Sequence, residues 1–209
     1  MCTNPIYIMN ELRGIFKGRE LFFCPENTYY CAAALAVLWL GTGEKNIITS
    51  FMGLGCLAPT EEVYMAMHVT NRYKPNQSLS ILQAVAAWYE EITGDRISAF
   101  KPVIGKKIFH VESGIHVDGI IKNPANYEAY CPNLVGRKTK IVIGKHSGTN
   151  SIKIKTSEYG IELDDPYLIQ EILRQVKQIS MENRKSLSDK EFLELVSEVL
   201  ANDGKKIHS

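Results

Sequence analysis

The densest chemistry in the chain lies in the run Phe109-His110-Val111-Glu112-Ser113-Gly114-Ile115-His116-Val117-Asp118-Gly119. Two imidazoles and two carboxylates fall within this one stretch. Such groups can ligate zinc or iron when they converge. One imidazole there can instead move protons, because imidazole titrates near neutral pH. The plainest alternative is a strand leading into a glycine turn, with the polar groups hydrogen-bonded locally. Spacing does not impose convergence, so these readings stand side by side.

A second constellation is Gly144-Lys145-His146-Ser147-Gly148. A glycine-flanked turn with Lys and Ser can hold a phosphate through backbone N–H groups. The GxxxxGK[ST] loop is absent, and a structural turn is the favoured reading. Gly53-Leu54-Gly55 lacks the third glycine of a GxGxxG fingerprint, which makes a dinucleotide site a weak expectation. The five cysteines, Cys2, Cys24, Cys31, Cys56 and Cys131, are scattered, odd in number and free of CxxC spacing. Reduced thiols are the simpler reading, and a disulfide framework or zinc knuckle is not expected.

The elements that position these groups can be read from periodicity and caps. Apolar positions Ile6, Met9, Leu12, Ile15 and Phe16 predict a helix over 6–16. Leu21–Phe23 predicts a buried strand, Thr28–Leu40 a helix closed by Gly41, and Ile47–Phe51 a second strand. Pro59-Thr60-Glu61-Glu62 marks another helix start. Alternating buried strands and helices over 6–70 indicate a parallel sheet. The polar segment 71–78 is a plausible boundary, with Ser78 as N-cap of a helix from Leu79 to Thr93 stopped by Gly94. Residues 95–108 read as extended, with Pro102 and Gly105 as breakers. Asp165-Pro166 opens one amphipathic helix, and Ser188-Asp189-Lys190-Glu191 is a capping box for another. Residues 202–209 read as a frayed tail.

Composition narrows the function classes. The 209 residues are too few for a complete (β/α)8 barrel of about 250. With 24 Lys plus Arg against 23 Asp plus Glu, net charge is +1, and neither nucleic acid nor an acidic membrane face is an expected partner. The apolar run Cys31–Leu40 is far short of the about 20 residues a bilayer requires. No basic segment followed by an apolar stretch opens the sequence, so a cytoplasmic location is expected.

These residues together resemble the C-terminal part of the homocitrate synthases, in the isopropylmalate synthase-like family of TIM-barrel acyltransferases. The most specific stretch is HVESGIHVDGIIKNPANYEAYCPNLVGRKTKIVIGKHSG, residues 110–148. It carries Ser-Gly-Ile-His, then Asn-Pro-x-x-Tyr-Glu, then Val-Gly-Arg, then Gly-Lys-His-Ser-Gly, in the family's order. The resemblance implies a condensation of acetyl-CoA, as co-substrate, with a 2-oxo acid, which is 2-oxoglutarate for homocitrate synthase. In the family a divalent metal polarises the keto group while a base deprotonates the acetyl methyl. The motif His reaches into the partner subunit's barrel as part of the acid/base machinery, and here it is His116. The Tyr of the second motif accompanies it, and here it is Tyr127, whose hydroxyl can donate to a developing oxyanion. Packing by an amphipathic ring is the alternative for Tyr127.

The departures from the family are as informative. Its opening Asp-Thr-Thr-Leu-Arg-Asp-Gly, with a metal ligand and the keto-acid Arg, has no counterpart. Its His-x-His-Asn-Asp corresponds to Phe22-Phe23-Cys24-Pro25-Glu26, so this chain is expected to bind no metal itself. Gly-x-Gly-Glu-Arg has become Gly53-Leu54-Gly55-Cys56-Leu57. The resemblance therefore implies a separate C-terminal subunit of a split homocitrate synthase, of the type called omega and associated with nitrogen fixation. A companion alpha-type barrel chain would supply the metal, in a hetero-oligomer or dimer. The alternatives are part of an isopropylmalate or citramalate synthase, or a non-catalytic assembly or regulatory subunit.

The expected fold class is α/β plus α+β: a remnant of the last βα units of a TIM barrel followed by a C-terminal small α/β subdomain pair. The expected divisions are a degenerate barrel-like segment over 1–75, a linker subdomain with one helix over 76–108, and a subdomain over 109–209 carrying the SGIH and GKHSG motifs.

Overall fold

A computed structural model describes residues 4–70 and 79–207. These divide into two compact units, one holding the chain up to Ile108 together with Leu134–Gly136, the other Phe109–Asn133 and the chain from Arg137 onward.

The first unit opens with helix α1, Pro5–Ile15, where Asn4 caps the Ile6 N–H at 3.0 Å and Pro5 occupies the first helical position. Strands β1 (Phe22–Phe23) and β2 (Asn46–Ile47) pair in parallel, with helix α2 (Ala32–Gly41) as the crossover between them. α2 begins at Ala32 rather than Thr28 because the Asn27 side chain accepts the Ala32 N–H at 3.1 Å, leaving Thr28–Tyr30 as a turn. Gly41 lies inside α2, and the left-handed glycine beyond it is Gly43, at φ +95°. Trp39 fastens the motif, stacking on Phe23 at 5.1 Å and donating its indole N–H to the Asn46 carbonyl at 3.0 Å.

The expected strand 47–51 divides. Its start belongs to β2, while β3 (Thr49–Ser50) pairs in parallel with β4 (Ala58–Pro59). Tight turns join β3 to β4, with Met52, Gly53, Gly55 and Cys56 all at positive φ. The buried carboxylate of Glu61, in helix α3 (Thr60–Val69), steadies this loop by accepting the Met52 N–H at 3.0 Å and pairing with Lys101 at 3.2 Å. A buried charge needs such compensation. Ala32, Ala36, Ala58, Val63 and Met67 form the small core of this unit.

Helix α4 (Ile81–Thr93) ends where Gly94 turns left-handed at φ +74°, as the sequence predicts, while the expected cap Ser78 and the boundary 71–78 lie outside the described residues. Residues 95–108 are not extended. They form turns closed by Gly105 N–H to Lys101 O and Lys107 N–H to Ala99 O, both 2.8 Å, which bury Val103 and Ile104. Gly105 is needed there, since a Cβ would come within 2.6 Å of the Ala99 and Lys101 carbonyls.

In the second unit β5 (His110–Val111) pairs in parallel with β6 (Lys140–Ile141). Four helices follow in order: α5 (Gly114–Lys122), α6 (Thr149–Ser157), α7 (Pro166–Asn183) and α8 (Asp189–Ile207). Ile152 of α6, Ile169, Ile172 and Val176 of α7, and Phe192 and Val196 of α8 are central to one buried cluster. That apolar stripe, at helical spacing, is what drives the three helices together. Asp165 caps α7 by accepting the Tyr167 N–H at 2.8 Å. α8 runs to Ile207 instead of fraying from residue 202; it continues directly from the turn in which Val199 and Leu200 pack on the cluster.

The capping box of α8 is formed as the sequence predicts: Ser188 N–H donates to Glu191 at 2.7 Å, and Glu191 N–H to the Ser188 hydroxyl at 3.3 Å. The bonds from Ser188, backbone first, and from Lys185 hold the Glu191 carboxyl down at about 2. A depressed carboxyl stabilises the fold above its ordinary value near 4.5 and loses that contribution as pH falls toward 2. Urea midpoints followed from pH 5 to pH 2.5 are expected to fall less steeply for Glu191→Gln than for the parent; equal slopes would contradict this.

The described residues thus hold three two-stranded parallel pairs among helices and no closed barrel. No described helix is long and apolar enough to cross a membrane.

Candidate active site

The stretch from Gly114 to Gly119 is helical, not a glycine turn. β5 feeds α5, whose buried anchor is Val117, and the Val117 N–H closes onto Ser113 O at 2.9 Å. Burying Val117 sets the rotation of the helix, and His116 then projects to solvent. Beyond α5, Asn123 caps a short 3-10 turn, Pro124–Asn126, by accepting the Ala125 N–H at 3.2 Å. Tyr127 N–H and Glu128 N–H both close onto Pro124 O, at 3.0 and 2.9 Å, and the Thr139 hydroxyl donates to the Glu128 carboxylate. This turn carries Tyr127 back over α5, where its ring lies 5.1 Å from the His116 ring at an interplanar angle of 50°. Tyr127 stays 45% exposed, so the two rings form an outward-facing pair.

The acids of the same stretch are committed elsewhere. Glu112 accepts the His146 N–H at 3.1 Å through Oε1 and the Ser186 hydroxyl at 3.0 Å through Oε2. Asp118 pairs with Lys122 at 2.7 Å and accepts from the Asn150 amide at 3.0 Å, tying α5 to α6. The Lys122 ammonium beside it holds the Asp118 carboxyl below the usual carboxylate range.

Gly144–Gly148 is a structural turn. Ser147, buried, accepts the Gly144 N–H at 3.0 Å, and its own N–H returns to Gly144 O at 3.1 Å. Glu112 takes the His146 N–H, so two of the backbone donors a phosphate would use are already satisfied. Two glycines allow close passage: a Cβ on Gly144 would stand 2.6 Å from Glu112 Oε1, and one on Gly114 2.9 Å from the Gly148 nitrogen. An open cleft of about 560 Å³, lined by Ser113, Gly114, Ile115, Asp118, His146 and Thr149, runs along this junction. A larger cavity of about 670 Å³ belongs to the first unit, and none of the motif residues lines it.

The sequence pattern alone did not single out Glu112 as a hub or Gly119 as a contact. Its usable signal was a glycine retained in the interior of a helix beside His116. For a divalent metal, the described residues at and near the family's ligand positions offer few free donors. Phe22 and Phe23 carry none, Cys24 is a solitary exposed thiol, and Glu112 and Asp118 are spent on hydrogen bonds. Among the described residues no group of three or more His, Cys, Asp or Glu could hold an ion.

Residues 103–184, which include both rings and the hub, match the family model described as homocitrate synthase post-HMGL domain-like. The chain is 33% identical over 176 residues to the homocitrate synthase omega subunit of Clostridium pasteurianum, covering 84% of this chain and 49% of that one. It is 35% identical over 202 residues to homocitrate synthase AksA of Methanocaldococcus jannaschii, covering 95% and 49%.

The chain is similar to the homocitrate synthase family.

It fits the C-terminal part of that family and spans about half the length of the curated relatives it matches. A 2-isopropylmalate synthase of Caldanaerobacter subterraneus is also similar, at 33% identity over 184 residues, covering 87% of this chain and 48% of that one. In this chain the fold brings the Ser-Gly-Ile-His and Asn-Pro-x-x-Tyr-Glu motifs together. They end in two rings placed against each other.

Proposed function

We propose that this chain is the C-terminal subunit of a split homocitrate synthase, an acyltransferase that condenses acetyl-CoA with 2-oxoglutarate and works only with a barrel-bearing companion chain. The contact of His116 with Tyr127 on an exposed face carries this reading. Two proton-handling side chains are preorganised, and neighbouring residues of α5 line an open cleft. In the proposed reaction His116 takes the proton from the acetyl methyl as the new carbon–carbon bond forms. Tyr127 donates a hydrogen bond to the oxyanion that develops, and water then hydrolyses the thioester of the adduct, releasing CoA and homocitrate. The companion chain contributes the divalent metal and the 2-oxo acid pocket.

Residues 6–70 are read as a degenerate copy of the last two barrel units, which keeps β1-α2-β2 as a parallel crossover but has lost the His ligands at Phe22 and Cys24. The exposed side chains Ile6, Ile8, Leu12 and Ile15 of α1, with Phe22 of β1, support a companion that covers this unit. The alliance with a named omega subunit in Clostridium pasteurianum supports the split arrangement, in a cytoplasmic hetero-oligomer.

Reconstitution tests the proposal. The purified chain is expected to release no CoA from acetyl-CoA and 2-oxoglutarate, and addition of the companion chain is expected to give homocitrate. Turnover by the single chain, or a pair that uses only another 2-oxo acid, would overturn it. The second outcome would favour an isopropylmalate or citramalate synthase part.

A further inference from the structure

We infer that Gly119 is the positioning residue of the site: the side chain it lacks is the space in which the Tyr127 ring lies against His116. The inference rests on the proposed roles of these two rings. A Cβ on Gly119 would stand 2.0 Å from Tyr127 Cε2, 2.5 Å from Cζ and 2.7 Å from the hydroxyl oxygen. No contact distance tolerates that, so the ring and a methyl group at 119 exclude each other.

Nothing in the backbone asks for glycine at this point. Gly119 is not among the positive-φ residues, and it sits inside the helix Gly114–Lys122, where its carbonyl accepts the Asn123 N–H at 2.8 Å. Glycine in a helix interior is unfavourable relative to alanine, because its backbone loses more freedom on folding. The residue therefore costs local stability without any return from its own conformation. What it provides is a bare strip of helix one turn beyond His116, since positions i and i+3 share a face. Tyr127 is brought onto that strip by the Asn123-capped turn, and its ring spans the gap to the imidazole at 5.1 Å. The obstructed atoms are the far end of a half-exposed side chain. A methyl group at 119 is accommodated by swinging the ring outward, with no disturbance to the buried core.

The test uses the full chain in two arms. In the first, the ring-proton resonances of His116, assigned through His116→Gln, are followed in the parent, in Tyr127→Leu and in Gly119→Ala. Loss of the neighbouring ring in Tyr127→Leu shifts these resonances. Gly119→Ala is expected to reproduce most of that shift while its thermal midpoint stays equal to or above the parent's. Unmoved His116 resonances in Gly119→Ala, or a lowered midpoint with general spectral change, would overturn the inference, whatever the protein catalyses.

The second arm uses the chain reconstituted with its companion. Gly119→Ala is expected to lower kcat at least tenfold with KM little changed, and adding Tyr127→Phe to it is expected to cost nothing more. If the resonances move as stated and turnover does not fall, Gly119 still positions the ring, and it is the catalytic reading of His116 and Tyr127 that fails.

Discussion

In the reconstituted pair, His116→Ala is expected to lower turnover by about 10²–10⁴-fold, the usual contribution of a positioned acid/base group. KM is expected to change little, because the imidazole acts on a proton in flight and contributes little to holding the ground state. The structure separates this chemical loss from a folding defect. His116 is exposed, and α5 is anchored by Val117, which is 1% exposed and untouched by the substitution. The thermal midpoint and the assembly with the companion chain are therefore expected to match the parent. Steady-state CoA release gives the rate, and wash-in of solvent deuterium at the acetyl methyl locates the loss at the proton-transfer step. Undiminished turnover by the His116→Ala pair would remove the catalytic role. The assembly-only reading of the chain would then be the better one.

Legibility differed sharply along the chain, and the differences have physical causes. α7 and α8 could be read because their information is local. Asp165-Pro166 and Ser188 through Glu191 are caps, and an apolar stripe follows each at helical spacing. α5 was obscured by Gly114 and Gly119, which look like breakers. Each is there for a neighbour distant in sequence, Gly114 for the backbone at Gly148 and Gly119 for the Tyr127 ring. The segment 95–108 departs from the extended form its sequence suggests for a related reason. Pro102 and Gly105 do interrupt regular structure, but the result is a turn wound on its own carbonyls. The single strand expected at 47–51 has two different partners, β1 and β4, and which strands pair is a tertiary fact. His116 and Tyr127 were legible through the order of motifs and not through geometry. Their contact depends on how the Pro124–Asn126 turn redirects the chain.

Gly144→Ala is expected to destabilise the second unit by about 2–3 kcal/mol, where the same exchange at Gly119 is expected to cost nothing. The added methyl would stand 2.6 Å from Glu112 Oε1 and 2.8 Å from Cδ. At Gly119 the obstacle is the tip of a half-exposed ring, free to swing. At Gly144 it is a carboxylate fixed at both oxygens, by the His146 N–H and by the Ser186 hydroxyl, beside a buried glycine. Moving the carboxylate forfeits both bonds, and leaving it in place demands overpacking. The thermal midpoint is expected to fall by ~10 °C or more, given about 4–8 °C per kcal/mol for a domain of this size. A double-mutant cycle isolates the cause. Glu112→Ala alone loses the hub, at about 1–3 kcal/mol. Once it is lost, Gly144→Ala has nothing to strike, so the double variant is expected to be little less stable than Glu112→Ala. Strict additivity would show that the carboxylate is not the obstacle. A Gly144→Ala midpoint within about 2 °C of the parent, well under the shift expected for 1 kcal/mol, would show that Glu112 is not fixed as the structure has it.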